Sequence, residues 1–189
     1  MIGLYSPAPQ SGKSTVATAL TTEHGFEQRG FATALKRMVI DLMYSAGIRP
    51  EAVGRYMDVD KEAPIPELGN KSFRYLTQTI GTDWGRYLVD KDLWIKVLLN
   101  SPVLPKLCVI DDLRFPNEYD AIRAAGGKCW RIYRPGQEAT TDHPSEGLLE
   151  DREFDAQLTN GGTYEDLRAA VKGALLGVSN NPFVPDAIS

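Results

Sequence analysis

The sequence predicts an α/β fold built on a doubly wound parallel sheet of about five strands. Strand and helix signals alternate at both ends of the chain, and the strand candidates are short apolar runs of the kind that parallel sheets bury on both faces. The chain has 189 residues, of which 42% are hydrophobic and 24% charged, enough to cover such a sheet with helices. We therefore expect ligands to bind at the carboxyl ends of the strands.

The individual elements follow from apolar runs and apolar periodicity. Strands are predicted at about 1–5, 26–29, 107–110, 129–133 and, more weakly, 154–158. Helices are predicted at about 12–23, 31–45, 116–125 and 163–176. The first two helices should bury one apolar side each, formed by Val16, Ala17, Ala19 and Leu20 in one, and by Leu35, Met38, Val39 and Leu42 in the other.

Two segments interrupt the alternation of strands and helices. Residues 47–100 contain no convincing strand and are predicted to form a largely helical insertion. Residues 135–152 are polar and longer than most connections, which is typical of a lid over an active site. We expect one domain over 1–189, with a core at about 1–46 and 101–178 and a loose tail at 179–189.

The most informative motif follows the first strand. There, Ser11-Gly12-Lys13-Ser14-Thr15 opens a helix, which is the arrangement of a phosphate-binding loop, or P-loop. Backbone N–H groups from Gln10 to Thr15 should surround a phosphate of ATP, and the positive end of the helix dipole should attract it. Lys13 can bridge the β- and γ-phosphates, and the Ser14 hydroxyl can bind Mg²⁺. The pattern departs from the usual one at Pro7, where a glycine is expected.

Charged side chains after two later strands complete this chemistry. Asp111 and Asp112 follow the strand at 107–110, where enzymes with a P-loop place a carboxylate that contacts Mg²⁺ directly or through water. The sequence leaves open which of the two does so. Phosphoryl transfer spreads negative charge over several oxygens, and Arg114, Arg131 and Arg134 are the candidates to neutralise it.

The insertion carries two side-chain stripes at helical spacing. The polar stripe consists of Arg74, Gln78, Thr82 and Arg86, and could present arginines to a phosphate and an amide to a base. The apolar stripe consists of Phe73, Leu76, Thr77, Ile80, Trp84 and Leu88, and is expected to pack on the core. Gly81 and Gly85 argue against one continuous helix, and without other observations the polar stripe reads as a solvated face.

Composition narrows the function classes. The net charge of −4 argues against an extended nucleic-acid surface. The start of the chain has neither the basic stretch nor the apolar run of a signal peptide, and no segment is long enough to span a membrane. Cys108 and Cys129 lie in apolar strands and are expected to be buried, unpaired core residues, which favours a cytoplasmic location.

An ordered set of short strings gives the chain a family resemblance. The chain resembles the deoxynucleoside monophosphate kinases of bacteriophage type, from its P-loop to about residue 171. The matching strings are Arg74 to Arg86, Asp112-Leu113-Arg114-Phe115-Pro116-Asn117-Glu118, Arg134-Pro135-Gly136 and His143-Pro144-Ser145-Glu146. Each string alone is weak, but the ordered set is fairly specific.

The resemblance implies a P-loop kinase fold and ATP- and Mg²⁺-dependent phosphorylation of a deoxynucleoside monophosphate (dNMP) to its diphosphate. It makes the insertion the monophosphate-binding region and the segment near 136–152 the lid, in which His143 has a structural role. The substrate-binding candidates by this resemblance are Lys36, Arg74, Gln78, Trp84 and Arg86. It also implies the host-cell cytoplasm for a phage-encoded chain, and leaves a homodimer open.

Three alternatives share the P-loop. A kinase acting on a modified base within DNA should show a basic surface track. A kinase of a small metabolite, such as a relative of dephospho-coenzyme A kinase, should lack the two later strings. A nucleotide-binding module without catalysis should consume no ATP when an acceptor is added. The number of arginines near the expected transfer site favours an enzyme.

Overall fold

The computed structural model describes residues 1–137 and 147–177, and it forms two compact units. The sheet unit comprises Met1–Gly30 with the described part of Pro105–Ser189, and the helical unit comprises Phe31–Leu104. The predicted insertion at 47–100 lies in the helical unit, which also contains the helix predicted at 31–45. Residues 138–146, which are half of the predicted lid and include His143, lie outside the described residues, as does the predicted tail.

The elements follow one another in the order that the sequence predicts, with additional short elements in the helical unit. In chain order they are β1 (Ile2–Tyr5), α1 (Lys13–His24), β2 (Glu27–Arg29), α2 (Thr33–Ser45), α3 (Pro50–Asp58), β3 (Pro64–Ile65), a 3₁₀ turn (Pro66–Leu68), β4 (Lys71–Ser72), α4 (Phe73–Gln78), a π-helix (Thr79–Val89), α5 (Leu93–Leu99), β5 (Cys108–Ile110), α6 (Pro116–Ala124), β6 (Lys128–Tyr133), β7 (Ala156–Thr159) and α7 (Tyr164–Leu175).

The sheet unit is built on a five-stranded sheet with the order β2-β5-β1-β6-β7. All its strand pairs are parallel, so the predicted α/β class and parallel sheet are confirmed. Gly3 lies opposite Ile110 of β5, and Tyr5 lies opposite Arg131 of β6. Because the strands run in the same direction, the segments that follow β1, β5, β6 and β7 leave the sheet at one edge.

Helices cover both faces of this sheet, and β1 shows how. Ile2 and Leu4 belong to a buried cluster that includes residues of α1 and α7. Gly3 points the other way, and a Cβ there would lie 2.6 Å from Ile122 of α6. A glycine in the central strand therefore lets α6 lie close to the sheet.

The predicted buried sides are confirmed for α1 and partly wrong for α2. Val16, Ala17, Ala19 and Leu20 are all buried in α1. In α2 the buried residues are Leu35, Val39 and Met43, which lie at four-residue steps. Met38 and Leu42 were predicted to be inside, but they are 42% and 43% exposed. The helix is covered along one row only, because Val39 and Met43 pack into the core of the helical unit.

A π-helix replaces the continuous α-helix that the stripes of the insertion assume. After Gln78 the chain winds more loosely, and Gly81 and Gly85 become the buried residues of this segment. The Trp94 ring fills the space beside them: its Nε1–H donates to Gly81 O at 2.8 Å, and a Cβ at Gly85 would lie 2.6 Å from the ring. The predicted burial of Trp84 and Leu88 is wrong, since they are 42% and 78% exposed.

Both cysteines are buried and unpaired, as predicted. Burial raises the pKa of the Cys108 thiol and raises that of the Cys129 thiol to about 12. Across 1–137 and 147–177, no helix is both long enough and apolar enough to cross a bilayer.

Candidate active site

The loop between β1 and α1, residues 6–12, has a firmly defined backbone. The Ser6 hydroxyl exchanges hydrogen bonds with Ala8, donating to its carbonyl at 3.2 Å and accepting from its N–H at 3.3 Å. Pro7 and Pro9 fix their own φ angles. Gln10 and Gly12 have φ angles of 54° and 103°, in the left-handed region. Pro7 thus stiffens the start of the loop, and the turn into α1 depends on Gln10 and Gly12.

Helix α1 begins directly after this loop. Lys13 is its first residue, followed by an exposed Ser14 and a half-buried Thr15. Its first N–H groups have no acceptor within the helix, so they and the helix dipole favour an anion at this end. Ser11, in the loop just before this helix, is only 1% exposed. Within the described part of the chain, its Oγ has no hydrogen-bond partner. A buried hydroxyl without a partner is costly, which suits a site that a ligand completes.

Side chains that follow β6 and β7 hold the loop from the neighbouring strands. Arg134 Nη1 donates to Gln10 O at 3.1 Å, and Asn160 Nδ2 donates to Ser11 O at 2.9 Å. With its amide nitrogen turned towards the loop, Gln137 donates to Pro9 O at 2.7 Å. Sequence reasoning identified Arg134 but missed Asn160 and Gln137, which are distant from the loop in the chain.

Asp111 and Asp112 follow β5, the neighbour of β1, and their carboxylates have different surroundings. Asp111 Oδ2 accepts a hydrogen bond from Gln28 Nε2 at 2.7 Å. The Asp112 carboxylate lies over Gly30, where a Cβ would come within 2.7 Å of Oδ2. Among the described residues no three His, Cys, Asp or Glu side chains cluster as they would in an all-protein metal cage. The two carboxylates supply only oxygen ligands, and this fits Mg²⁺, which keeps several waters and binds through one or two carboxylates plus phosphates.

The string from Asp112 to Glu118 has a structural explanation. Leu113 is buried in the core, and Pro116 starts α6. The buried Glu118 carboxylate accepts hydrogen bonds from the N–H groups of Arg114, at 2.9 Å, and Phe115, at 3.0 Å. Glu118 therefore fixes the backbone from which the exposed Arg114 side chain projects. A glutamate two residues after an initial proline is the sequence signal of such a helix cap.

Arg131 is held by a carboxylate that sequence reasoning missed. Glu150 forms an ion pair with Arg131 and accepts a hydrogen bond from the Tyr5 hydroxyl at 3.0 Å. Burial and the nearby Glu150 raise the pKa of Tyr5, so this hydroxyl stays protonated and remains a donor. The result is a guanidinium with a fixed position on β6, at the position in register with Tyr5 on β1.

The substrate-binding candidates all lie in the helical unit. Lys36 is exposed on α2, and Gln78 is exposed at the end of α4. The Arg74 guanidinium forms an ion pair with Glu62, and the Arg74 backbone N–H donates to Lys61 O at 3.0 Å. Arg74 therefore already has a carboxylate partner, which a phosphate would have to replace.

The other two candidates lie on the π-helix. The exposed Trp84 ring packs at an angle against Trp94, with 6.3 Å between ring centroids. Arg86 Nη1 lies 3.5 Å from Lys91 O. The looser winding after Gln78 takes Trp84 off the predicted apolar stripe and Arg86 off the predicted polar stripe.

The chain is similar to known proteins over most of its length. Residues 55–171 match the family model described as deoxynucleotide monophosphate kinase. A protein of Acanthamoeba polyphaga mimivirus, whose name provisionally assigns it that activity, is 30% identical over 187 residues, with 90% of this chain and 93% of that protein covered. The deoxynucleotide monophosphate kinase of Enterobacteria phage T4 is 34% identical over 110 residues, covering 55% of this chain and 45% of its own.

The chain thus spans nearly the whole mimivirus relative and a little under half of the phage T4 enzyme. Among solved structures, that of TT1252 from Thermus thermophilus aligns with a TM-score of 0.48 at 20% identity, over 95% of this chain and 97% of that one. The family match covers the strings around Arg74 and Asp112 on which the resemblance rests, and the resemblance is confirmed: the chain belongs to the deoxynucleotide monophosphate kinase family.

Proposed function

We propose that this kinase transfers the γ-phosphoryl group of ATP to the phosphate of a dNMP, giving ADP and a deoxynucleoside diphosphate. The observation that carries the proposal is the loop 6–12, which leads from the carboxyl end of β1 into the N-terminus of α1. Its combination with family membership favours a kinase over a binding module without catalysis.

ATP binds through residues 10–15 in this proposal. The N-terminus of α1 attracts the phosphates, and Lys13, its first residue, is placed to reach the β- and γ-phosphates. The unsatisfied Ser11 hydroxyl supports the assignment, because a polar group so deeply buried usually has a partner. The cytoplasm is the proposed compartment, and with a net charge of −4 no extended contact with nucleic acid is expected.

Ser14 and Asp112 would hold Mg²⁺, with Asp111 as the second carboxylate candidate. The ion would neutralise charge on the β- and γ-phosphate oxygens. Asp112 is the better candidate because its carboxylate lies over Gly30, where the absence of a side chain leaves room for it. One carboxylate oxygen of Asp111 already accepts a hydrogen bond from the Gln28 amide.

Charge that develops on the transferred group is neutralised by Lys13, Arg114, Arg131 and Arg134. The bonds of Glu118 to the Arg114 backbone and of Glu150 to the Arg131 side chain support this role, because preorganised cations cost no rearrangement during the reaction. No strong general base is needed, since the acceptor is already an anionic phosphate oxygen.

The acceptor is bound by the helical unit through Lys36, Arg74, Gln78, Trp84 and Arg86. The exposure of the Trp84 ring supports stacking on a base, and the exposed Gln78 amide can both donate to a base edge and accept from it. Arg74 and Arg86 would hold the monophosphate.

The test measures ADP release from ATP and Mg²⁺ with each common dNMP and ribonucleoside monophosphate in turn. We expect Lys13→Ala to lower turnover by about two orders of magnitude or more, because it removes the cation proposed to bridge the β- and γ-phosphates. Lys172→Ala removes an exposed lysine from α7 and should leave turnover unchanged. Near-normal turnover of Lys13→Ala would contradict the proposed site, and a wild-type chain that binds ATP but responds to no monophosphate would contradict the proposed acceptor.

Light scattering on the same sample would decide whether the chain forms a homodimer.

A further inference from the structure

We propose that Asn160 is a positioning residue for phosphoryl transfer, because it holds the backbone of the loop 6–12 in the orientation that binds phosphate. The inference rests on the proposed function, since it concerns the binding of ATP at this loop. Asn160 directly follows β7, about 150 residues after the loop in the chain.

The geometry is a row of donors on consecutive carbonyl oxygens. Gln137, Arg134 and Asn160 donate to the carbonyls of Pro9, Gln10 and Ser11, respectively. All three donors come from the segments that follow β6 and β7, so they act from one side of the loop.

Peptide geometry converts this row into an anion site. In a planar trans peptide the C=O of one residue and the N–H of the next point in opposite directions, and the described residues contain no cis peptide bond. Fixing the carbonyls of Pro9, Gln10 and Ser11 towards β6 and β7 therefore turns the N–H groups of Gln10, Ser11 and Gly12 the other way. Consecutive N–H groups that converge in this manner form a concave site for an anion.

The same contacts explain why the loop can keep an unfavourable conformation. A positive φ is unfavourable for a non-glycine residue, and Gln10 has a φ of 54°. The bond from Arg134 to Gln10 O offsets part of that cost. Without donors on these carbonyls the peptide planes could rotate, and carbonyl oxygens would then face the phosphate.

Asn160 is itself held in a restricted position. Its own N–H donates to Tyr133 O at 2.7 Å, which fixes its backbone against β6. Its amide nitrogen also lies against Gly12, where a Cβ would come within 2.4 Å of it. The contact requires both a glycine at 12 and a donor at 160, so an aspartate of the same shape would place an anion against a carbonyl oxygen.

The test compares Asn160→Ala and Asn160→Asp with Asn100→Ala, which removes an exposed asparagine at the end of α5. We expect the dissociation constant of ATP, measured by calorimetry, and the KM for ATP to rise about tenfold in Asn160→Ala and further in Asn160→Asp. The KM for the monophosphate should stay within twofold of wild type, a split that general loss of structure would not produce. Asn100→Ala should match wild type in every constant.

An ATP affinity of Asn160→Ala within twofold of wild type would overturn the inference, and so would equal losses for ATP and the monophosphate. If neither Asn160 variant folds, Gln137→Ala replaces them: it removes the donor to Pro9 O and its longer contact with Gln10 O, and an unchanged ATP affinity would again overturn the inference. A wild-type chain that binds ATP but phosphorylates no monophosphate refutes the proposed acceptor alone, because the ATP dissociation constants still test Asn160. A wild-type chain without affinity for ATP refutes both.

Discussion

Replacing Gly30 by alanine should disable the proposed Mg²⁺ site while leaving the fold in place. The added methyl group would lie 2.7 Å from Asp112 Oδ2 and 3.1 Å from both Oδ1 and Cγ. Atoms of this kind normally keep about 3.5 Å apart, so the carboxylate must shift by roughly 0.5 to 1 Å. The atoms that clash are the end of a side chain, so Asp112 can rotate away at little cost to the backbone.

A shift of this size matters for catalysis, since productive geometries tolerate about 0.5 Å and a 1 Å displacement can cost about a hundredfold in rate. We therefore expect Gly30→Ala to lower kcat by about 10- to 100-fold and to raise the Mg²⁺ concentration needed for half-maximal activity. Initial rates over a Mg²⁺ titration measure both. The melting temperature should change by no more than about 2 °C, because the clash is relieved at a side-chain end.

Gly54→Ala is the matched control. Gly54 lies inside α3, and a Cβ there would meet no atom within 4 Å. Alanine should stabilise this helix by about 0.5 to 1 kcal/mol and leave the Mg²⁺ dependence unchanged. If Gly30→Ala keeps both the kcat and the Mg²⁺ dependence of wild type, the position of the Asp112 carboxylate is irrelevant to the reaction and the assignment of this ligand is wrong.

Two further predictions concern stability. Burial of Asp155 raises the pKa of its carboxyl, but the Cys129 N–H, at 2.7 Å, and Arg123 outweigh that effect and hold the pKa below its usual range. Such a group stabilises the fold above its unfolded pKa of about 3.9, and the contribution disappears as the pH falls through the lower folded pKa. Asp155→Asn should therefore lower the free energy of unfolding in urea by about 1 to 3 kcal/mol at pH 7 and by progressively less as the pH falls below the unfolded pKa, and a loss that does not shrink on acidification would refute this. Gly85→Ala should destabilise the chain by about 1 to 3 kcal/mol through its clash with the buried Trp94 ring, and a melting temperature at or above that of wild type would contradict the described π-helix packing.

The sequence predicted those parts of the fold that depend on local pattern. The buried side of α1 was predicted from one apolar stripe, and the structure buries all four of its residues, Val16, Ala17, Ala19 and Leu20, in a cluster with the sheet and α7. The same reasoning overestimated α2, because only one row of that helix meets a partner and Met38 and Leu42 remain exposed. Apolar spacing reports which residues could be inside, but the neighbouring elements decide how many are.

The π-helix shows a second limit of periodicity. Stripes drawn at 3.6 residues per turn assume one hydrogen-bonding pattern, and that pattern changes after Gln78. The segment is also packed against a residue outside it: Trp94 donates to Gly81 O, and its ring lies so close to Gly85 that a Cβ there would clash. A helical wheel of residues 73–88 contains no information about Trp94.

The candidate site divides in the same way. The P-loop could be identified because its residues are consecutive and their types follow from phosphate chemistry. Gly30, Glu150 and Asn160 could not, because each acts on a residue that is distant in the chain. In the sequence, a glycine or an asparagine after a short strand is consistent with an ordinary turn. Its role becomes visible only when the pairing of parallel strands brings it next to its partner.

The burial of both cysteines has a practical consequence for observing this kinase at work. Alkylating and disulfide reagents attack the thiolate, which neither Cys108 nor Cys129 supplies readily while the protein is folded. A cysteine introduced at an exposed position, such as 100, should therefore take up a fluorescent maleimide alone, with both native thiols kept. Nucleotide binding could then be followed by a single reporter in an otherwise unaltered chain.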